Sequence, residues 1–313
     1  MTLATNAFHT YGATGNREDL TDIIDMISPV DTPLYNALGA ANPIRATYHE
    51  WQTDTLAAAD ADNTVVEGNV YSPSALTPTT RYGNYVVISE KTGRVTDTQE
   101  VVSKGGRMSE MQYQKSKKLK ELKNDMEKML VTHSTAASAG AGSTTVPRRM
   151  SNVWFWTVNV NTHTGFSGYA SSSDIDTTLT GTTITETVFN DIVQNIWADG
   201  GRPNSVYVNG TLKRLISGWG TSTSRVWQGA TTITNKVDVY EGDFTTLEMK
   251  LERQIASSLG LILQDDKWKK GFLIPAHEIM IGKTAAAKDF MYQAEWTIEA
   301  RNPTANGLFI SAP

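Results

Sequence analysis

The tripeptide Gly282-Lys283-Thr284 is the ending of a phosphate-binding loop, in which backbone amides wrap a phosphate and the lysine meets its charge. Such a loop needs an earlier glycine so that the backbone can close round the phosphate, and His277 stands at that position. Ile279 to Ile281 therefore reads as a strand with a charged end. Gly140-Ala141-Gly142 could open a dinucleotide loop, but no third glycine follows at the required spacing, and a tract of small residues precedes it where a buried strand is needed. The five histidines (His9, His49, His133, His163, His277) are scattered with no H-E-x-x-H pattern, so a zinc site would need wholly tertiary construction. Asp60 with Asp62, and Asp265 with Asp266, could be acid-base or calcium pairs, yet neither lies in a loop of EF-hand spacing. There is no G-x-S-x-G elbow, and Asn209-Gly210-Thr211 is a glycosylation sequon in form only. The chain is read as a non-enzyme with no catalytic residues, no cofactor and no metal. A hydrolase using scattered carboxylates is an alternative that a pocket joining several of them would support.

What remains is a set of elements whose purpose must lie elsewhere. With 313 residues, 39% of them hydrophobic, and eight Trp, eleven Tyr and eight Phe, the chain can bury a sizeable core. It has no cysteine, which excludes disulfides and thiolate metal sites and suits a reducing cytoplasm. Met1 to Thr14 holds no basic run followed by an apolar stretch, and no window reaches the roughly eighteen apolar residues of a membrane span. The chain is expected to be soluble, away from membranes and cytoplasmic when made. The net charge of −5 is unevenly spread. Residues 1–90 carry three basic side chains (Arg17, Arg45, Arg81) against eleven acidic ones, a balance of −8, and the first lysine is Lys91. Residues 103–133 carry seven Lys and one Arg against four acidic residues, a balance of +4. This pattern suggests complementary surfaces, within one chain or between copies, or else ordinary solvated charge.

Arg17 to Leu38 reads as a short amphipathic helix leading to proline-marked turns at Ser28-Pro29 and Thr32-Pro33. Ala46 to Leu56 and Arg81 to Val95 are rich in β-branched and aromatic residues and read as paired strands. The long connection between them, with Pro73 and Pro78, makes a two-stranded finger with an irregular tip, which is at best marginally stable alone and should lie on something else. Gly106 to His133 has no proline and no internal glycine, and Met108, Met111, Leu119, Leu122, Met126, Met129 and Leu130 recur at helical spacing. Its lysines, Lys115, Lys117, Lys118, Lys120 and Lys123, read as a solvated face or as a nucleic-acid patch. Ser134 to Thr145 consists only of Ser, Thr, Ala and Gly and reads as a flexible loop. Val153 to Val160 reads as a strand and Thr185 to Asp199 as a helix stopped by Gly200-Gly201. A strand (Ser205 to Val208), a helix (Leu212 to Ser217) and strands near Thr231 to Tyr240 and Thr246 to Arg253 suggest a compact α/β unit. Strand candidates at Gly271 to Ile274, Ile279 to Ile281, Phe290 to Ile298 and Leu308 to Ile310 close the chain.

Five stretches in order resemble one family of tailed-phage major capsid proteins. They are Glu18-Asp19-Leu20 to Thr32-Pro33-Leu34, His49-Glu50-Trp51-Gln52-Thr53-Asp54-Thr55-Leu56, Arg81-Tyr82-Gly83-Asn84-Tyr85, Lys120-Glu121-Leu122-Lys123-Asn124-Asp125-Met126-Glu127, and Trp296-Thr297-Ile298-Glu299-Ala300-Arg301-Asn302. The resemblance spans nearly the whole chain and implies the Hong Kong 97-like capsid fold, an α+β class. It implies an N-terminal arm at 1–45, an extended loop at 46–95, and a peripheral domain at 96–179 with a spine helix at 103–133. An axial α/β domain at 180–262 and returning peripheral strands at 263–313 complete it.

The function so implied is a major capsid protein that assembles in the host cytoplasm into the icosahedral or prolate head shell of the virion, around double-stranded DNA. The implied partners are itself, in hexamers and pentamers, the portal protein, the packaged DNA held non-specifically, and separate scaffolding and decoration proteins where these are used. The expected contact between subunits sets the acidic loop (Asp54, Asp60, Asp62, Glu67) over a neighbour's basic helix (Lys117, Lys118, Lys120), with Trp51 and Tyr85 supplying burial. Some relatives weld their shells through a lysine in this loop; residues 1–90 have none, so the shells are expected to be non-covalent. A tail or decoration component of the virion is the alternative structural reading.

Overall fold

A computed structural model describes residues 28, 31–71, 73, 75–132, 140–158, 175–176, 183–219, 238–283 and 285–311. The elements begin with α1 (Pro33–Ala37), β1 (Gly39–Ala40), β2 (Tyr48–Thr53), β3 (Thr80–Tyr85), β4 (Val87–Thr96), α2 (Asp97–Val101) and α3 (Glu110–Val131). They continue through α4 (Val153–Val158), β5 (Ile175–Asp176), α5 (Glu186–Ala198), β6 (Ser205–Val208), α6 (Gly210–Trp219), β7 (Val239–Glu241) and β8 (Thr246–Leu251). The last are β9 (Leu259–Leu263), β10 (Trp268–Met280), β11 (Ala287–Ala300) and β12 (Gly307–Ile310). The strands make a four-stranded sheet, β1-β10-β11-β4, a six-stranded sheet, β5-β12-β9-β6-β8-β7, and a ribbon, β2-β3.

The long helix α3 starts at Glu110, later than its composition suggests, because Gly106 is left-handed (φ 73°) and Ser109 then caps the helix. The Ser109 hydroxyl accepts from the Gln112 amide at 3.2 Å. Glu100 adds a second cap, accepting from the amides of Glu110 and Met111 at 3.0 and 3.1 Å and from the Ser109 hydroxyl at 2.7 Å. The Ser109 bond foremost, then the amides, hold the Glu100 carboxyl below the usual carboxylate range. Leu122, Met126 and Leu130 are buried one turn apart. Met108 and Leu119, expected on that stripe, are exposed: Met108 precedes the cap, and Leu119 is left uncovered by the chain's own elements.

The six-stranded sheet has a core on each face, and the period of two along its strands assigns the residues. Val206, Val208, Ile262 and Phe309 pack with Phe189, Ile192 and Ile196 of α5 and Leu212 and Ile216 of α6. Tyr207, Leu261, Leu263 and Leu308 point the other way, joining Leu122, Met126, Trp268 and Trp296. Each such fully buried side chain contributes about 1.5–3 kcal/mol. The α/β unit is thus no separate body, since its sheet also floors the core beneath the spine helix. Helix α5 ends as its glycines predict: Gly200 is left-handed (φ 82°), and the amides of Gly200 and Gly201 bond to Trp197 O and Ile196 O at 3.0 and 2.8 Å.

Several expectations are corrected. Val153–Val158 is helical, not extended: Asn152 Oδ1 accepts from the Phe155 amide at 2.9 Å and starts a helical turn. A short aromatic run fits either structure until such a cap decides. The two strands expected at 271–281 are one, β10, which passes Pro275 by shifting register between Phe272, Ile274 and His277. The closing strand β12 pairs with β9 in the six-stranded sheet, where the sequence placed it with the peripheral strands. Most of the helix expected at 17–38, loop 134–139, the stretch 171–182 apart from β5, and residues 231–237 lie outside the described residues. Among the described residues no helix is long and apolar enough to cross a membrane.

Candidate subunit interface

The finger is built from β2 and β3, paired from Tyr48↔Tyr85 to Thr53↔Thr80. At Val86, fully buried with its amide on Thr47 O at 2.9 Å, the chain changes sheets, and β4 continues against β11. The single strand expected over 81–95 is thereby divided. The foot of the finger is fastened to the body by polar side chains. Asn84, fully buried, donates to Ser151 O and Ile298 O at 2.8 and 3.2 Å and accepts from the Ser151 amide at 2.8 Å. Trp51 donates its indole N–H to Ala300 O at 3.0 Å and its ring lies 5.4 Å from that of Trp156. His49 Nε2 lies 2.7 Å from Glu299 Oε1, and Arg301 donates to Glu299 Oε2 at 2.9 Å. Burial opposes the charge of Glu299, but the bonds from His49 and Arg301 outweigh it and hold the carboxyl below its usual range. Trp51 and Tyr85 thus find partners within the chain: the Tyr85 ring is 4.6 Å from that of Tyr48 and its carbonyl accepts from Thr297 at 2.9 Å.

Beyond this foot the finger has no support from the described residues. Every described residue from 54 to 81 is exposed. Leu56 is 99% and Leu76 93% accessible, and Val65, Val66, Val70 and Tyr71 are all at least three-quarters so. Apolar surface of this kind is disfavoured in water by about 25 cal/mol per Å². The carboxylates Asp54, Asp60, Asp62 and Glu67 share the tip. Asp54 accepts from the Thr55 amide and Asp60 from the Asp62 amide, both at 2.9 Å. Among the described residues none of the four forms an ion pair.

On α3, Lys117 and Lys120 are exposed, and Lys118 pairs with Glu121 at 2.8 Å. The other lysines of the helix are engaged: Lys115 with Glu278 at 2.5 Å, Lys123 on Asn36 Oδ1 at 2.9 Å and Lys128 on Gln254 O at 2.6 Å. Among the described residues the acidic tip and the basic helix form no ion pair with each other.

The profile of one protein family, SU10 major capsid protein, matches residues 5–312. The chain belongs to the SU10 major capsid protein family. The Escherichia phage Phieco32 major capsid protein is 37% identical over 125 residues, 40% of this chain and 35% of the relative, so the match spans about a third of that protein's length. Among solved structures, the capsid of a native GTA particle aligns with a TM-score of 0.67 and 12% identity over 100% of this chain and 99% of that one. The cyanophage A-1(L) capsid gives 0.67 and 11% over 95% and 97%. This capsid protein accordingly has the α+β, Hong Kong 97-like capsid fold.

In the capsid protein the residues first singled out for chemistry have other employment. Gly282 and Lys283 sit in the turn after β10, and Lys283 pairs with Asp97. Asn209 caps α6, its Oδ1 accepting from the Thr211 amide at 3.3 Å, so the sequon is a helix start. Asp265 receives Ser205 Oγ at 2.7 Å, Lys250 Nζ at 3.0 Å and the Tyr207 hydroxyl at 3.2 Å, a network not foreseen from sequence. Burial, with Asp265 second, pushes the Tyr207 hydroxyl well up. His277 is exposed, and His9, His133 and His163 lie outside the described residues. Among the described residues no group of three metal-ligating side chains occurs. Carboxylates do share one cavity of about 980 Å³, lined in part by Asp31, Glu252, Lys123 and Arg253. Asp31 pairs there with Arg253 at 2.9 Å, and Glu252 accepts from the Gln254 amide at 2.7 Å.

Proposed function

We propose that the chain is the shell-forming subunit of a phage head, joining copies of itself as hexamers and pentamers in a shell round double-stranded DNA through non-covalent contacts. The observation that carries this reading is the finger: a foot locked into the body by Asn84 and Trp51, and a tip whose apolar side chains and four carboxylates have no partner surface among the described residues. A ribbon of two strands does not stabilise itself in water, so a neighbouring copy is the natural cover. Contact with Lys117, Lys118 and Lys120 of that neighbour sets the register, and burial of Leu56, Val70, Tyr71 and Leu76 supplies most of the free energy. The portal protein, packaged DNA and separate scaffolding or decoration proteins complete the proposed set of partners.

Electron microscopy of the purified chain tests the proposal beside a variant with residues 55–78 replaced by a Gly/Ser linker. Closed shells or tubes from the parent and only soluble, folded subunits from the variant are expected. Undiminished assembly of the variant overturns the role of the tip. Rings, fibres or trimers from the parent point instead to a tail or decoration component.

A further inference from the structure

Three segments far apart in the chain meet at two buried carboxyl groups. Glu127, on α3, is fully buried, and its two oxygens accept from the amides of Leu34 and Tyr35 at 2.8 and 2.6 Å, the otherwise unpaired N–H groups at the start of α1. Glu252, which follows β8, is 1% exposed. Its Oε1 accepts from the Gln254 amide at 2.7 Å, whereas Oε2 is buried with no partner of ordinary hydrogen-bond geometry and has the Glu127 carboxylate as its neighbour.

No described cation forms an ion pair with either carboxyl group, although Lys270 of β10 is attracted by Glu127. Asp31 of the arm adds repulsion and is itself held by Arg253. Lys123 of α3 donates to Asn36, and Lys270 of β10 donates to Tyr35 O at 2.6 Å. Tyr207 of β6 completes the set of titratable groups that feel Glu127. Two negative charges held side by side in a buried site repel strongly, which favours a proton on Glu252.

We propose that Glu127 and Glu252 are a proton-held clasp that joins the arm, the spine helix and the six-stranded sheet, and that loss of the shared proton releases the arm from the body. Burial first, and Glu127 second, push the Glu252 carboxyl up to about 9. A carboxyl raised in the folded state binds its proton more tightly there than in the opened state. The clasp is therefore strongest below the ordinary carboxylate value of 4.5 and weakens as pH rises toward about 9.

Hydrogen exchange of the full-length unassembled chain, corrected for intrinsic rates, reads the opening of peptides covering residues 31–38 and 250–256. Between pH 7 and pH 10 opening of both is expected to increase on the order of a hundredfold in the parent, and to change little in Glu252→Gln, which keeps a donor without a titrating proton. Equal protection of the parent at both pH values, or the same loss in Glu252→Gln, overturns the clasp. Should Glu252→Gln not fold, infrared spectroscopy of the parent decides: a protonated-carboxyl band must be present at pH 7 and gone above pH 10, and its absence at pH 7 refutes the shared proton.

Discussion

Asn84 and Ser151 exchange two hydrogen bonds at the foot of the finger, Asn84 Nδ2 to Ser151 O and Ser151 N to Asn84 Oδ1, both 2.8 Å long and both buried. Replacing Asn84 by Ala removes both of these bonds and the one that Asn84 donates to Ile298 O at 3.2 Å. The expected cost is about 2–4 kcal/mol, above that of an ordinary surface change, because three buried hydrogen bonds are lost together. Urea denaturation of unassembled Asn84→Ala measures it; a change below about 0.5 kcal/mol would show that the pair does not anchor the finger.

Local rules made the regular elements legible. Thr185 and Gly200 bracket α5 by capping chemistry that a reader of the sequence can see, and the run from Glu110 to Val131 has a helical period without glycine or proline. The fastenings were not legible, because they join residues with no local signal. Glu127 caps a helix 93 residues away, and Asn84 reaches Ile298 across 214. The strand read over 81–95 broke at Val86 because its two halves pair with different strands, which composition cannot express. Trp51 was read as a contact for a neighbour, and its bond to the carbonyl of Ala300 within the chain carried no signal in the sequence. The acidic tip was legible as a charge imbalance, and the structure added that its apolar residues are bare.

If the tip serves a neighbour, its apolar side chains matter to assembly and not to folding. Leu56, Val70, Tyr71 and Leu76 changed together to Ser should leave the stability of the unassembled subunit within about 1 kcal/mol, since none is buried in it. The same variant should fail to form shells by sedimentation and electron microscopy. Loss of subunit stability comparable to a core substitution would place these residues against the chain's own body.

Charge reversal of Lys117, Lys118 and Lys120 to Glu tests the partner of the acidic tip. Within the subunit the Lys118–Glu121 pair is lost, a half-buried contact on the helix surface worth about 0–1 kcal/mol, together with the weaker pull of Lys117 on Glu121. Assembly should be impaired, and the parent's assembly should slow with added salt as the Debye length shrinks below about 10 Å. Normal shells from the reversed variant rule the pairing out.

Residues 1–90 hold no lysine, so the finger has no amine with which to form an isopeptide bond. Assembled shells boiled in detergent should run as monomers of 34.3 kDa on a denaturing gel. A ladder of covalent oligomers would contradict the non-covalent assignment.

Acid should loosen the finger's foot before the core. Glu299 is 3% exposed, and although burial disfavours its charge, His49 and Arg301 hold its pKa below the ordinary carboxylate value of 4.5. A carboxyl lowered in the folded state stabilises that state above its unfolded pKa, and the contribution is lost as pH falls through the folded value. Glu299→Gln should therefore cost about 1–3 kcal/mol at pH 7, where it removes the charge that Arg301 and the His49 ring face. The difference from the parent should shrink as pH falls below 4.5, because the parent's own carboxyl is then being neutralised. Denaturant titrations of both proteins from pH 7 to pH 3 give that difference directly. A gap independent of pH would mean that Glu299 acts through its shape and hydrogen bonds and that its charge contributes nothing to holding β2 on β11.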